Sequence, residues 1–221
     1  MRISLRAKAI ASLIKDNSKI IDVGCDHALL DIYLVKNKKI PKIIASDINP
    51  KALAKGINNI NKYQVQHQII TRQGDGLATI DDDINTVIMA GLGGHTIANI
   101  LIRQKHLLTN IRQLIIQPNN HIFLVRKTLN LLGYIIDHEL LIKERNIIYT
   151  IMSFKKGNLK YTYKELYFGP ILFKNISPLM REMYHHKIAE LKSIYNQLSI
   201  KHWFKKIKIL FEINYIKRYL K

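Results

Sequence analysis

A single cysteine, Cys25, stands in a chain of 221 residues, so an internal disulfide is excluded and a thiolate metal cluster with it. The residue reads as a small apolar side chain tucked into a turn. The nine histidines are scattered, and the adjacent pair His185 and His186 would point to different sides of a helix, so no metal is expected. Long apolar runs are missing too. None approaches the roughly 18 to 20 residues that span a bilayer, and the stretch MRISLRAKAIASLIKD lacks the apolar core and small-residue cleavage site of a secretory signal. A cytoplasmic protein without a membrane partner is expected.

Acidic residues are the next shortage. Sixteen Asp and Glu stand against 35 Lys and Arg, a formal net charge of +19, and such a balance favours a polyanionic partner. The abundance of Lys, Ile and Asn leaves AT-rich coding as a second source of that charge. Its distribution is uneven: residues 1–154 carry 20 basic and 12 acidic side chains, residues 155–221 carry 15 and 4. The shorter C-terminal segment is the more basic.

What is present is a regular alternation. A leading helix is read over residues 4–15, with Arg6 and Lys8 off its apolar face. Apolar β-rich runs then alternate with helical ones: KIIDVG and ALLDIYLVKN, KIIASD and PKALAKGINNINKY, HQIITRQ, NTVIMAG and GHTIANILIRQ, RQLIIQ and NHIFLVRKTLNLLG. This order marks βαβ units that feed a parallel sheet, and the strands are continuously apolar, as they are when helices cover both faces. Asn49 before Pro50 starts a helix, Gly133 closes one, and YIIDHELLIKERNIIYTIMSFKK reads as an antiparallel hairpin that finishes the sheet.

From Ile176 the period changes. Met180, Tyr184, Ile188, Leu191, Tyr195 and Leu198 step by three or four, and a second run holds Phe204, Ile207, Phe211 and Ile216. Two helices packed as an antiparallel coiled-coil hairpin fit, with these aromatic residues read as core. The expected boundary separates domains at 1–158 and 159–221.

The chemistry gathers where strands end. IIDVGCDHALL stops its apolar run at Asp22, turns at Gly24, and sets Asp26 and His27 where a helix should begin; Gly24 lets a cofactor approach the backbone. A dinucleotide fingerprint, G-x-G-x-x-G, is lacking, which disfavours a nicotinamide cofactor. Asp47 ends the second strand at the spacing of a ribose-binding acid, or else caps the next helix. Asp75, between Gly74 and Gly76 in QGDGL, suits an adenine amino group, or else only a turn. Gln117, Pro118 and Asn119 end the fifth strand on the same rim, with Asn119 alternatively capping the following helix.

These acid and glycine strand ends resemble the class I S-adenosylmethionine-dependent methyltransferases. DVGCDHALL, QGDGL, AGLGGHTIANIL and LIIQPNNH together are similar to the bacterial tRNA (adenine-22)-N1-methyltransferase family, TrmK, over nearly the whole chain. The resemblance implies a Rossmann-like domain of mainly parallel sheet with a C-terminal antiparallel hairpin, followed by a small helical coiled-coil domain. It implies that Gly24, Asp26 and His27 line the methionine side of S-adenosylmethionine, that Asp47 binds the ribose and Asp75 the adenine, that Ala90, Gly91 and Leu92 close the pocket, and that Asp22, Ile48, Gly74 and Gly76 complete the cofactor-binding set. On the RNA side, Asn119 and Gln117 beside Pro118 would orient a flipped adenine. Asp26 and Asn119 are the catalytic candidates. Arg2, Arg6, Arg126, Lys201, Lys205, Lys206 and Lys208 would meet the tRNA backbone. A monomer is expected. The GLGG stretch departs from the Asn/Asp-Pro-Pro-aromatic motif of many base-amino methyltransferases, which suits a ring-nitrogen target. The competing readings are a methyltransferase of the same fold acting on another RNA, DNA or protein, and a non-catalytic RNA-binding module.

Overall fold

A computed structural model describes Met1 and residues 3–220; Arg2, expected to meet the tRNA backbone, lies outside the described residues. In chain order the elements are α1 (Leu5–Leu13), β1 (Lys19–Val23), α2 (Leu29–Asn37), β2 (Lys42–Asp47), α3 (Pro50–Lys62), β3 (Ile69–Gln73), β4 (Thr86–Leu92), α4 (Gly94–Arg103), β5 (Gln113–Pro118), α5 (Ile122–Leu131), β6 (Tyr134–Glu144), β7 (Ile147–Lys156), α6 (Tyr163–Phe168), α7 (Pro178–Gln197) and α8 (Trp203–Tyr219).

The seven strands form one sheet in the order β3-β2-β1-β4-β5-β7-β6. The first five are parallel, and β7 inserts antiparallel between β5 and β6. Arg145 and Asn146, both at positive φ, make the two-residue turn between β6 and β7, the backbone that a twisted hairpin needs. Successive residues of one strand feed opposite cores. Ile20 and Ile43 pack on the side of α1, α2 and α3, whereas Ile21 and Ile44 pack on the side of α4 and α5. That division explains why the strands are apolar throughout, since a residue pointing to either face meets a helix. The strand order reverses between β1 and β4, each with its next strand on the far side, and in open parallel sheets ligands bind beyond the strand ends at that point.

The chain divides into two compact units, residues 1–171 and 172–221. The first therefore extends past the expected boundary at 158. Thr162 and Glu165 form a reciprocal capping box that starts α6, and Arg126 ties the segment down. Its guanidinium pairs with Glu139 at 2.8 Å and donates to the carbonyls of Leu166 and Tyr167 at 3.1 and 3.0 Å, while Glu139 accepts from the amide of Ile171 at 3.0 Å. Gly169 fits here because its φ is +94° and an added Cβ would lie 2.5 Å from a Glu139 oxygen. Arg126 was expected to meet RNA. With 2% of its surface exposed it cannot do so; it is a structural ion pair whose charge is met inside the first unit.

In the second unit α7 and α8 run antiparallel, since Arg181 near the start of α7 donates to the carbonyl of Leu220 just past α8 at 2.6 Å. Met180, Tyr184 and Leu191 of α7 are buried as the spacing predicts. On α8 the buried residues are Ile209, Ile213 and Ile216, whereas Phe204, Ile207 and Phe211 are exposed. The predicted core stripe of α8 is thus corrected: only its last member, Ile216, faces inward, because the partner helix covers the opposite side of α8.

Candidate active site

Beyond the ends of β1, β2 and β4 lies a cavity of about 740 Å³, within the range of small-molecule sites. Its first wall is the turn after β1. Gly24 has φ +80°, and a Cβ there would come 3.1 Å from the Leu92 side chain, so the turn needs glycine on both counts. The amides of Gly24 and Cys25 donate to the carbonyl of Ser46 at 2.8 and 3.1 Å, which locks this turn to β2. Asp26 and Ala28 also have positive φ, and α2 begins only at Leu29. Asp26 and His27 therefore occupy an exposed turn before the helix and not its first turn, as the sequence pattern had suggested.

Asp47 is held from two sides. Its carboxylate accepts from the amide of Asn49 at 2.8 Å and from the amide of Asp26 at 3.2 Å, so a single acid fixes the ends of β1 and β2 together. The helix cap is Asn49, which accepts from the amide of Lys51. Because Asn49 supplies the cap, the remaining lone pairs of Asp47 are available at the cavity wall.

The QGDGL turn is braced from α4. Arg103 pairs with Asp75 at 2.7 Å, and Gln104 both donates to the Asp75 carbonyl and accepts from the Leu77 amide, at 2.8 and 2.7 Å. Neither Arg103 nor Gln104 was singled out in the sequence. They lie 28 and 29 residues from Asp75, and no local pattern links the two places.

The opposite rim is one connected network. Gln117 accepts from the amide of Gly91 and from Arg6, each at 3.1 Å. Asn119 donates its side-chain amide to the Gly91 carbonyl at 2.6 Å and its backbone amide to Leu92 at 2.9 Å. Gly91 stands in an irregularity of the β4–β5 ladder. Arg6 also lies over the Tyr149 ring at 5.1 Å. Gln117 is fully buried, so the expectation that it orients a base by direct contact is corrected: its amide is consumed in shaping the rim. Pro118 is buried beside it and is off the cavity wall. Asn119 is not a helix cap; α5 starts at Ile122 with His121 at the cap position, and Asn120 instead accepts from the amide of Gly94 at the head of α4 at 2.9 Å.

All eleven residues expected to meet the cofactor, Asp22, Gly24, Asp26, His27, Asp47, Ile48, Gly74, Asp75, Gly76, Ala90 and Gly91, line this cavity, together with Arg6 and Asn119. Lys201, Lys205, Lys206 and Lys208 belong to the other unit. Ile3, Ser4, Ala7 and Ile10, of α1 and the turn before it, complete the wall. Only the folded chain reveals this, because α1 precedes the sheet and carries no motif.

Beneath the cavity lies an acid pair. Asp31 is wholly buried, and its two oxygens find no donor among the described residues. They face Asp22, and two carboxyls in contact bond only when one keeps its proton. Burial pushes Asp22 up to about 7; its hydrogen bond with Asp31 opposes the rise and the Asp47 charge adds to it. Burial and then the Asp22 charge hold Asp31 well above the usual carboxylate range. Burial, followed by the Asp31, Asp22 and Asp47 charges, also pushes the Cys25 thiol up, which rules out a thiolate nucleophile at this wall.

The residues present fit S-adenosylmethionine. The cavity size accommodates it, the pinned Asp47 offers acceptors to a vicinal diol, and Asp26 and Asp47 set carboxylates on the wall that a ligand bearing a sulfonium and an ammonium would face. At the first turn the glycine backbone permits close approach.

Comparison with known proteins agrees with this geometry. The family model described as tRNA (adenine(22)-N(1))-methyltransferase, TrmK, matches residues 20–218. The tRNA (adenine(22)-N(1))-methyltransferase of Bacillus subtilis is 29% identical over 206 residues, which cover 90% of this chain and 87% of that one. A Streptococcus pneumoniae structure in complex with S-adenosyl-L-methionine superposes with a TM-score of 0.92 at 28% identity, covering 100% of both chains. The structure of M. capricolum TrmK in complex with S-adenosyl-homocysteine gives a TM-score of 0.88 at 31% identity, covering 100% of this chain and 98% of that one.

Proposed function

The chain belongs to the tRNA (adenine(22)-N(1))-methyltransferase family, and from that premise we propose how its own residues move a methyl group from S-adenosylmethionine to N1 of adenine 22 in tRNA. The observation that carries the reading is that the strand-end acids and glycines and the Gly91–Asn119 rim line one cavity. When bound, the cofactor supplies an electrophilic methyl group on a cationic sulfur. Asp47 accepts from its ribose hydroxyls, and the QGDGL turn, stiffened by Arg103 and Gln104, receives its adenine. Asp22, Asp26 and His27 meet the methionine end.

Adenine N1 carries an in-plane lone pair and is unprotonated near neutral pH, so no general base is required. The protein's task is alignment. Holding the acceptor in line with the methyl group supplies roughly 7 to 11 kcal/mol. Asn119, oriented through Gly91, holds the extruded base at the rim, and Arg6, fixed by Gln117 and Tyr149, meets the adjoining RNA backbone. The product ring is cationic, and Asp26 is the carboxylate that offsets the developing charge. Extrusion of the base costs a few kcal/mol, which RNA contacts elsewhere must offset, including those of Lys201, Lys205, Lys206 and Lys208. Among the described residues no helix is long and apolar enough to cross a membrane.

The test is transfer of labelled methyl from S-adenosylmethionine to unmodified tRNA, followed by nuclease digestion. Label in 1-methyladenosine at position 22 is expected, and replacement of A22 by guanosine should abolish it. Asn119→Ala should lower kcat roughly tenfold or more through misplacement of the base. Label in any other nucleoside would discard the reading.

A further inference from the structure

Between Ile200 and Phe211 six large apolar side chains stand in solvent: Ile200, Trp203, Phe204, Ile207, Leu210 and Phe211, with exposures from 40% to 87%. At 100° per residue, positions 203, 204, 207, 210 and 211 of α8 fall on one stripe, opposite the buried Ile209, Ile213 and Ile216. The first half of this helix therefore turns its apolar stripe outward, while the face that the hairpin covers runs from Ile209 into the second half. The rings of Trp203 and Phe204 stack on each other at 3.6 Å between centroids, inclined by 28°, and both remain exposed, so a further ring can add to the stack. A contiguous exposed patch of this kind marks an interaction surface.

Charge identifies the occupant. From Glu190 to Glu212 the intervening sequence holds five lysines and no acid. Lys201, Lys205 and Lys208 are exposed, and Lys206 lies over the Tyr195 ring at 4.7 Å. A second copy of the chain docking here would bring these ammonium groups against their own kind. An RNA strand offers phosphates to the lysines and base faces to the rings, and unpaired bases stack on aromatic side chains irrespective of sequence.

We propose that the stripe headed by Trp203 and Phe204 stacks an unpaired base of the tRNA, distinct from the methylated adenine, while Lys201, Lys205 and Lys208 hold the flanking phosphates. The proposal rests on the reading of the chain as a tRNA methyltransferase and adds a second base-holding site to it. It separates two contributions to binding: the rings supply a salt-independent part, and the lysines supply the salt-dependent part.

Trp203 is the only tryptophan of the chain, so the full-length protein carries its own reporter. Titration with unmodified tRNA should quench Trp203 emission and shield it from iodide. Trp203→Leu should bind tRNA roughly tenfold more weakly with the slope of log K against log salt unchanged, whereas the double variant Lys205→Gln, Lys208→Gln should flatten that slope by about two. Unchanged emission of the wild-type protein at saturating tRNA overturns the proposal, whatever the folding of the variants. Sedimentation showing a dimer whose dissociation exposes Trp203 overturns it in favour of a second copy. Methyl transfer to A22 is followed in the same samples. Transfer without a Trp203 response refutes the stacking site and keeps the enzyme; a Trp203 response without transfer to A22 refutes the enzymatic reading and keeps the RNA contact.

Discussion

Arg126 is 2% exposed in the unit that ends at Ile171, and Phe211 is 72% exposed in the unit that begins at Leu172. A cation is hidden in the first and a phenyl ring is bare in the second. The contrast follows from how many layers each unit has. A sheet between two helical layers offers enough surrounding chain to meet a buried guanidinium on every side, and Glu139, Leu166 and Tyr167 do so. A two-helix hairpin has only one partner per helix, so a helix that is apolar on two faces must leave one in water. Burial in the first unit therefore speaks of stability, and exposure in the second speaks of contact with something else.

The sharpest way to break this comparison is to remove Arg126. Arg126→Ala leaves the Glu139 charge buried and should cost about 3 to 5 kcal/mol, read from the urea midpoint, while Phe211→Ala should stay within about 0.5 kcal/mol as a surface change. Replacing both Arg126 and Glu139 by apolar residues should recover most of the loss. Equal effects at Arg126 and Phe211 would end the distinction.

A second prediction sharpens it within the first unit. Asp47→Ala removes the acceptor that pins two strand ends and faces the cavity, and should weaken S-adenosylmethionine binding about 100-fold, or ~2.7 kcal/mol, by calorimetry. Unaltered affinity would mean that the carboxylate only stiffens the turn.

The smallest effect concerns pH. The Asp22 carboxyl is raised in the folded state from 3.8 to about 7, so between these values the folded protein binds more protons than the unfolded one. Stability contributed by this pair is then full at low pH and falls as pH rises through that window, at no more than about 1.4 kcal/mol per unit for one proton. Asp81, held down to about 2 chiefly by Arg72 and then Lys42, acts in the opposite sense but below pH 4. Thermal midpoints should therefore decline from pH 5 to pH 7, and Asp22→Asn, which removes the titrating carboxyl, should flatten the decline. A flat wild-type profile would show that the pair shares no proton.

Much of the first unit was legible along the chain. The alternation of apolar strands with amphipathic helices, the Asn49–Pro50 start and the glycine at 24 are local signals, and local geometry answers to them. The acids at strand ends could be read because a parallel sheet sends the end of every strand to the same edge. The roles of Arg103 and Gln104 were not legible, since their partner is brought near only by folding. The α6 segment did carry a sign, Thr162 and Glu165 at capping-box spacing, and reading it would have moved the boundary from 158 toward 171.

The sequence by itself determined the order of elements, the parallel sheet with its closing hairpin, and the set of acids and glycines at the strand ends, because each depends on a period or a turn a few residues long. Only the tertiary structure decided that Arg126 is a buried strut, that Gln117 shapes the rim, that Asp22 lies against Asp31, and that Trp203, Phe204 and Phe211 face water. A helical repeat says that a face is apolar; which of two such faces is covered depends on the one neighbouring helix that the fold supplies.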